Sequence, residues 1–117
     1  MEQITIKMKE HGIDTDGVIS RLGDKEMLYL SICKKFLNDT SYPSAREAIK
    51  KGDYIEAQIH LHTLKGVAAN LGFIYLHALC NRLLTELEQE SLSYFNRDLI
   101  SLGQEYEIII SILNENF

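Results

Sequence analysis

Apolar residues recur every three or four positions along most of this 117-residue chain, and this spacing constrains the fold more than any other feature. It is the period of an amphipathic helix, whereas a half-buried strand would alternate apolar and polar residues. No alternating stretch occurs, and Pro43 is the single proline. The pattern therefore predicts an all-α domain, whose four long apolar stripes lie at about 24–38, 54–71, 73–88 and 93–116.

Residues typical of helix ends predict where these helices begin. A polar side chain at the N-cap accepts a hydrogen bond from a backbone N–H two or three residues later, and a glutamate at the third position completes a capping box. The predicted caps are Asp24, Ser44 with Glu47, Asp53 with Glu56, and Ser93. Ser44 would start a short helix ending at Gly52, and Gly72 permits a turn after a helix from about Tyr54 to Leu71. A short helix is also expected in "DTDGVISRLG", after a loose N-terminal segment.

Short connections between the long helices determine the topology. Helices joined by short loops run in opposite directions, so we expect an antiparallel four-helix bundle with short additional N-terminal helices. The length fits a single domain over residues 1–117, with its core at about 12–116. Cys33 and Cys80 both fall within apolar helical patterns, which predicts buried free thiols rather than a disulfide or a metal pair.

Charge and hydropathy exclude several kinds of partner. The net charge is −5 without any block of lysine and arginine, which argues against nucleic acid and anionic membrane as partners. No stretch approaches the roughly 20 apolar residues of a membrane span. The segment "MEQITIKMKEHG" lacks the apolar run of a signal peptide, so we expect the protein in the cytoplasm. The Met1 start and the short tails favour a free-standing protein.

Two histidines stand close together in "QIHLHTLKGVAANLG", residues 58–72. On a helix their neighbours Ala57, Leu61, Leu64, Ala68 and Leu71 form one buried stripe. His62 points roughly 140° from the centre of that stripe, toward solvent, and His60 lies about 60° from it. Because about 200° separates the two rings, they cannot bind one metal ion together. We expect His60 to pack at the edge of the core and His62 to be exposed.

The surroundings of His62 are unusual for a solvated helix face. Lys65 and Gly66 lie on the next turn beside the imidazole, and Ala69 extends the row of small side chains. A glycine inside a helix costs roughly 1 kcal/mol relative to alanine, so Gly66 indicates close approach by another group. Ile55 and Ile59 also face outward, which is typical of a partner-docking surface.

These neighbours give His62 a chemical interpretation. Imidazole is partly unprotonated at neutral pH and can form covalent intermediates as a nucleophile. A phosphoryl group on its outer nitrogen would carry nearly two negative charges, which the ammonium of Lys65 would stabilise. The alternative is that His62 is an ordinary surface histidine. Lys65 alone would likewise be an ordinary solvated lysine, and Gly66 alone a tolerated helix defect. His11 and His77 are assigned no chemistry.

The motif "HTLKGVAANLG", residues 62–72, closely resembles the H-x-L-K-G signature of histidine phosphotransfer (HPt) domains. Residues 12–39 look like the segment that precedes this signature, and Leu87 with Glu88 matches a Leu-Glu pair that often ends the following helix. The resemblance covers about residues 12–90. Leu61, His60 and Phe73 depart from the residues common at their positions, and we expect these departures to affect only the fit to partners.

The resemblance implies an antiparallel four-helix bundle whose phosphorylated histidine, here His62, projects into solvent. Lys65 would stabilise the phosphoryl group and Gly66 would let the partner approach. It further implies a phosphorelay in which His62 accepts the group from a receiver-domain aspartate of a response regulator or hybrid kinase and passes it to another. The chain would be a phosphocarrier without ATP-dependent kinase activity or a cofactor of its own, and Mg²⁺ would belong to the receiver.

Other functions remain open from the sequence. A non-phosphorylated helical bundle could dock receivers or other signalling proteins through Ile55, Ile59 and the patch from Gly66 to Ala69. A metal-binding bundle is the weakest alternative because acidic and histidine residues lack the paired spacings it needs. An autonomous kinase would need a glycine-rich phosphate loop, which is missing. A transient docking face is compatible with a monomer, which we expect.

Overall fold

The computed structural model describes residues 3–117, and this part of the chain forms seven α-helices without a strand. The all-α prediction is confirmed. The helices are α1 (Gln3–Glu10), α2 (Thr15–Arg21), α3 (Glu26–Phe36), α4 (Ser41–Lys50), α5 (Tyr54–Leu71), α6 (Ile74–Glu88) and α7 (Phe95–Asn114). No helix in the described part of the chain combines the length and apolar character needed to cross a membrane.

The last four helices form a helical bundle, the architecture predicted, although one of its four members differs from the prediction. Each of the pairs α4–α5, α5–α6 and α6–α7 packs closely, and their short connections make neighbouring helices antiparallel. α5 lies between α4 and α6 and buries the predicted stripe, Ala57, Leu61, Leu64, Ala68 and Leu71. Facing leucines from α6 and the aliphatic residues Leu102, Ile109 and Leu113 of α7 complete the core. The free thiols of Cys33 and Cys80 are buried in it, as predicted.

The helix α3 takes a different place from the one predicted. It was expected to be one of four long bundle helices, but α4 lies along α5 instead, while α3 contacts the end of α5. The Phe36 ring packs edge-on against Phe73 with 5.2 Å between centroids, and Tyr29 Oη donates to the Leu71 carbonyl at 2.7 Å. With eleven residues, α3 is about 16 Å long, too short to cover the whole of α5.

The expectation of a loose N-terminal segment is wrong for the described residues. α1 buries Ile4 and Met8, which lie on one face four residues apart. Just after α1, His11 Nε2 lies 2.8 Å from a carboxylate oxygen of Glu105 on α7. These contacts attach the N-terminal helix to the bundle.

Three predicted N-caps are also wrong. Asp24 has φ 63° and its N–H donates to the Ile19 carbonyl, so it ends α2 rather than starting α3. Ser44 lies inside α4, which begins three residues earlier because the Asp39 carboxylate accepts from the Ser41 N–H at 2.9 Å. Ser93 precedes the cap position of α7, where no side chain makes a capping hydrogen bond.

Candidate functional site

The helix that carries the candidate site, α5, has well-defined ends. The Asp53 carboxylate accepts from the Glu56 N–H at 3.1 Å, as the capping prediction requires. At the other end Gly72 adopts the left-handed conformation with φ 79°. Its carbonyl accepts from the Asp14 N–H at 2.9 Å, and the buried Tyr29 hydroxyl binds the Leu71 carbonyl. α5 is therefore a fixed platform for the side chains on its outer face.

His62 lies on this outer face with its side chain exposed, which confirms the predicted orientation. Within residues 3–117 its ring makes no hydrogen bond, ion pair or ring contact. Both imidazole nitrogens are therefore open to a group arriving from solvent.

Lys65 lies three residues after His62, on the adjacent turn, and is half-buried. Its charge acts on Cys80 of α6. Burial raises the pKa of the Cys80 thiol to about 12, and the positive charge of Lys65 opposes this rise. The thiol stays protonated and is fully buried, so Cys80 offers no nucleophile. Lys65 has no ion-pair partner in the described chain, which leaves its ammonium available to an anion at His62.

Gly66 has no packing reason to be a glycine. A Cβ built there would meet no atom within 4 Å, and the residue is exposed. Alanine would fit the isolated molecule and would favour the helix by about 1 kcal/mol. The open space therefore lies where a second molecule could approach the His62 turn closely.

Exposed aliphatic side chains border this turn. Ile55 is 77% exposed and Ile59 54% exposed on the N-terminal side, and Ala69 is exposed on the C-terminal side. Beyond Ala69 the surface continues through a small cavity of about 180 Å³ to Ile74 and Arg21. We did not predict these last two residues, because they lie on α6 and α2 and only the fold brings them beside α5.

The second histidine of the motif has a different environment. His60 is half-buried, its Nε2 lies 3.2 Å from a carboxylate oxygen of Glu56, and it lines a cavity against α4. The two histidines therefore have different environments, with His62 exposed and His60 half-buried. His77 is half-buried on α6 and His11 is paired with Glu105. Among residues 3–117 no three His, Cys, Asp or Glu side chains are grouped closely enough to hold a metal ion.

Comparison with known protein families gives a match to a helical domain family. The model of the Hpt domain matches residues 38–108, more than half of the chain, and the matched range contains all of α4, α5 and α6. His62, Lys65 and Gly66 lie within it. No curated protein and no solved structure gives a match.

Proposed function

Because the chain belongs to the Hpt-domain family, we propose that it is a phosphorelay protein in which His62 carries the phosphoryl group. One observation supports this assignment most strongly. The exposed ring of His62 has no partner among residues 3–117, and it lies one turn from an unpaired ammonium and from a glycine that the described chain does not need.

The proposed reaction moves a phosphoryl group from a receiver aspartate to the imidazole. The lone pair of the unprotonated outer nitrogen attacks phosphorus, the N–P bond forms, and the bond from phosphorus to the aspartyl oxygen breaks. The electron pair of that bond leaves with the carboxylate, and the proton on the other ring nitrogen stays in place. Transfer to the next receiver reverses these changes, so the histidine needs no separate general base.

Lys65 would act on the charge that arrives with the phosphoryl group. Its ammonium is on the adjacent helical turn, where it can donate hydrogen bonds to phosphoryl oxygens. The residue is half-buried, which limits the positions that the charged end of its side chain can reach. Lys65 would therefore stabilise the transferring group without binding it as an independent site.

The receiver would dock on the surface formed by Ile55, Ile59, Gly66 and Ala69. Gly66 would let the partner backbone come close to His62, and the exposed aliphatic side chains would be covered by the complex. We propose that the chain has no cofactor of its own and that Mg²⁺ is held by the receiver. The proposed partners are receiver domains, without nucleic acid or membrane.

Labelling with a small phosphoryl donor and with a phosphorylated receiver tests the proposal. We expect the wild type to acquire one acid-labile phosphoryl group from either phosphoramidate or the receiver. His62→Gln should acquire none while remaining folded, because the side chain it replaces is exposed and unpaired. His60→Gln is the matched control two positions away and should retain labelling.

Two results would contradict the assignment. Equal labelling of His62→Gln and the wild type would exclude His62 as the acceptor. Receiver binding that is unchanged in His62→Gln, with no acid-labile phosphate on the wild type, would instead identify a docking module without phosphotransfer.

A further inference from the structure

A second surface of the bundle, formed by α4 and α7, contains an open apolar groove of about 710 Å³. On α7 it is lined by Ile100 and Ile108, which are 61% and 43% exposed, with Gln104 midway between them. Its lining includes no residue of α5. The groove is therefore separate from the His62 surface.

The spacing of this row suits pairing with its own copy. Ile100, Gln104 and Ile108 follow each other at intervals of four residues and so lie along one ridge of α7. If two copies of α7 run antiparallel about a two-fold axis at Gln104, Ile100 of each copy faces Ile108 of the other. The two glutamine amides then meet at the axis, where each can donate to and accept from the other.

Charge supports the same arrangement. Arg46 of α4 and Glu107 of α7 line the groove, and the side chain of neither makes an ion pair or hydrogen bond within residues 3–117. Burial raises the pKa of the Tyr42 hydroxyl most, while the charge of Arg46 lowers this pKa and the charge of Glu107 raises it. Both charged side chains therefore lie near the Tyr42 hydroxyl. The groove thus has opposite charges that its own chain leaves unpaired.

The two-fold axis would bring those charges together. Tyr42 stacks on Tyr106 with 3.9 Å between ring centroids, and α4 runs antiparallel to α7. Arg46, one turn after Tyr42, is therefore level with about residue 102 of α7. After rotation about the axis at Gln104, residue 102 of one copy lies opposite residue 106 of the other. Arg46 would therefore lie opposite about residue 106 of the other copy, beside its Glu107.

Although the sequence led us to expect a monomer, we propose that this chain forms a two-fold symmetric homodimer through the α4–α7 groove, with α7 paired antiparallel and Arg46 of each copy bound to Glu107 of the other. Isologous contacts of this kind are the commonest in soluble oligomers. A face about 30 Å long, the length of α7, and about 20 Å wide would bury on the order of 1,200 Å² in total, the lower limit of stable interfaces. The dimer should thus be weak and concentration-dependent, and His62 would remain exposed on both copies.

Sedimentation velocity of the full chain tests this proposal. The wild type should change from monomer to dimer between about 10 µM and about 1 mM, the range expected for a small interface. Arg46→Glu and Glu107→Arg should each weaken the dimer by about tenfold or more, because like charges then face each other. The double variant should return to within about threefold of the wild-type dissociation constant.

Ile108→Lys should abolish the dimer over the same range, and Leu92→Lys is its control because Leu92 is equally exposed, at 44%, outside the groove. Circular dichroism checks that each variant is folded. A wild type that stays monomeric to about 1 mM would overturn the proposal and leave the groove to a different protein. A dimer that survives Ile108→Lys, or that the double charge exchange does not restore, would overturn the two-fold arrangement.

Discussion

Gly66 and Gly72 lie six residues apart, in and just after the same helix, yet their surroundings are opposite. A Cβ at Gly72 would come within 2.8 Å of the Asp14 carbonyl oxygen, and the backbone there has φ 79°. A Cβ at Gly66 would meet no atom within 4 Å. Gly72 is thus explained by the packing of its own chain, whereas no contact in the described chain explains Gly66.

The same contrast separates the two regions around these glycines. The C-terminal end of α5 is held by hydrogen bonds from Asp14 and from Tyr29. The outer face around His62 makes few contacts within the described chain. Substitutions at the end of α5 should therefore change stability, and substitutions on the outer face should change phosphotransfer, with little overlap between the two effects.

The largest effect on stability is expected for Gly72→Ala. Left-handed backbone costs an ordinary residue about 1–2 kcal/mol, and the close approach to Asp14 requires a backbone shift in addition. We expect the free energy of unfolding to fall by about 2–4 kcal/mol in urea titration.

Gly52→Ala is the matched control for that measurement. Gly52 has a similar φ of 73° but open space around its Cβ position, so its substitution isolates the backbone cost of about 1–2 kcal/mol. An equal loss of stability in the two variants would show that contact with Asp14 contributes nothing.

On the outer face the largest effect after loss of His62 is expected for Lys65→Ala. Removing the ammonium should slow phosphoryl uptake by His62 about tenfold, equivalent to about 1.4 kcal/mol in the transition state. The free energy of unfolding should change by less than about 0.5 kcal/mol. Initial rates of labelling from phosphoramidate and from a phosphorylated receiver measure the first effect.

Lys50→Ala provides the control for a lysine far from the motif, and Lys65→Arg should recover part of the rate. Uptake by Lys65→Ala within a factor of about two of wild type would remove Lys65 from the proposed mechanism.

Gly66→Ala should have effects of opposite sign on stability and transfer. The variant should be more stable by about 1 kcal/mol, because alanine favours the helix and has room at this position. Transfer from a phosphorylated receiver should become slower, since the added methyl group occupies space that the partner needs. Labelling by phosphoramidate, which is small, should be unaffected. Equal receiver transfer in Gly66→Ala and wild type would show that close approach is not the reason for this glycine.

The ends and faces of α5 were predictable from sequence because local interactions determine them. The Asp53 cap and Gly72 act within a few residues of the helix, and a continuous stripe from Ala57 to Leu71 fixes its rotation. The orientation of His62 followed directly from that stripe. The roles of Lys65 and Gly66 in phosphotransfer remain predictions.

The errors arose where distant residues compete with local signals. Ser44 has the spacing of a capping residue, but Asp39 binds the Ser41 N–H and α4 begins earlier. The N-terminal segment is ordered by contacts such as His11 with Glu105, 94 positions away. No local sequence pattern predicts such pairs. The same holds for a charged cluster between α6 and α7, formed by Arg82, Glu86, Arg97 and Asp98.

In that cluster Asp98 is almost fully buried and accepts from Arg82 at 2.9 Å and from Arg97 at 3.3 Å. Glu86 lies against Asp98, and one of its carboxylate oxygens is buried without a hydrogen-bond partner in the described chain. Burial, then the hydrogen bond and charge of Asp98, raise the pKa of Glu86, and the two arginines only partly oppose this. At neutral pH its ionised form is thus less favourable in the folded state than in the unfolded one.

The smallest predicted effect is the pH-dependent change in stability of Glu86→Gln. It tests whether a substitution in the packed cluster changes stability without changing phosphotransfer. A raised folded-state pKa gives a stability contribution that is complete below the unfolded value of about 4.3 and is lost as pH rises through the folded value. Glutamine resembles the protonated acid at every pH. Urea titration should therefore find Glu86→Gln as stable as wild type near pH 4 and up to about 1 kcal/mol more stable near pH 7.5. The exposed Glu88→Gln should show no such trend, and both variants should be phosphorylated normally on His62, because within the described chain no hydrogen bond of the cluster reaches α5. A stability difference independent of pH would mean that ionisation of Glu86 does not limit the packing of α6 on α7.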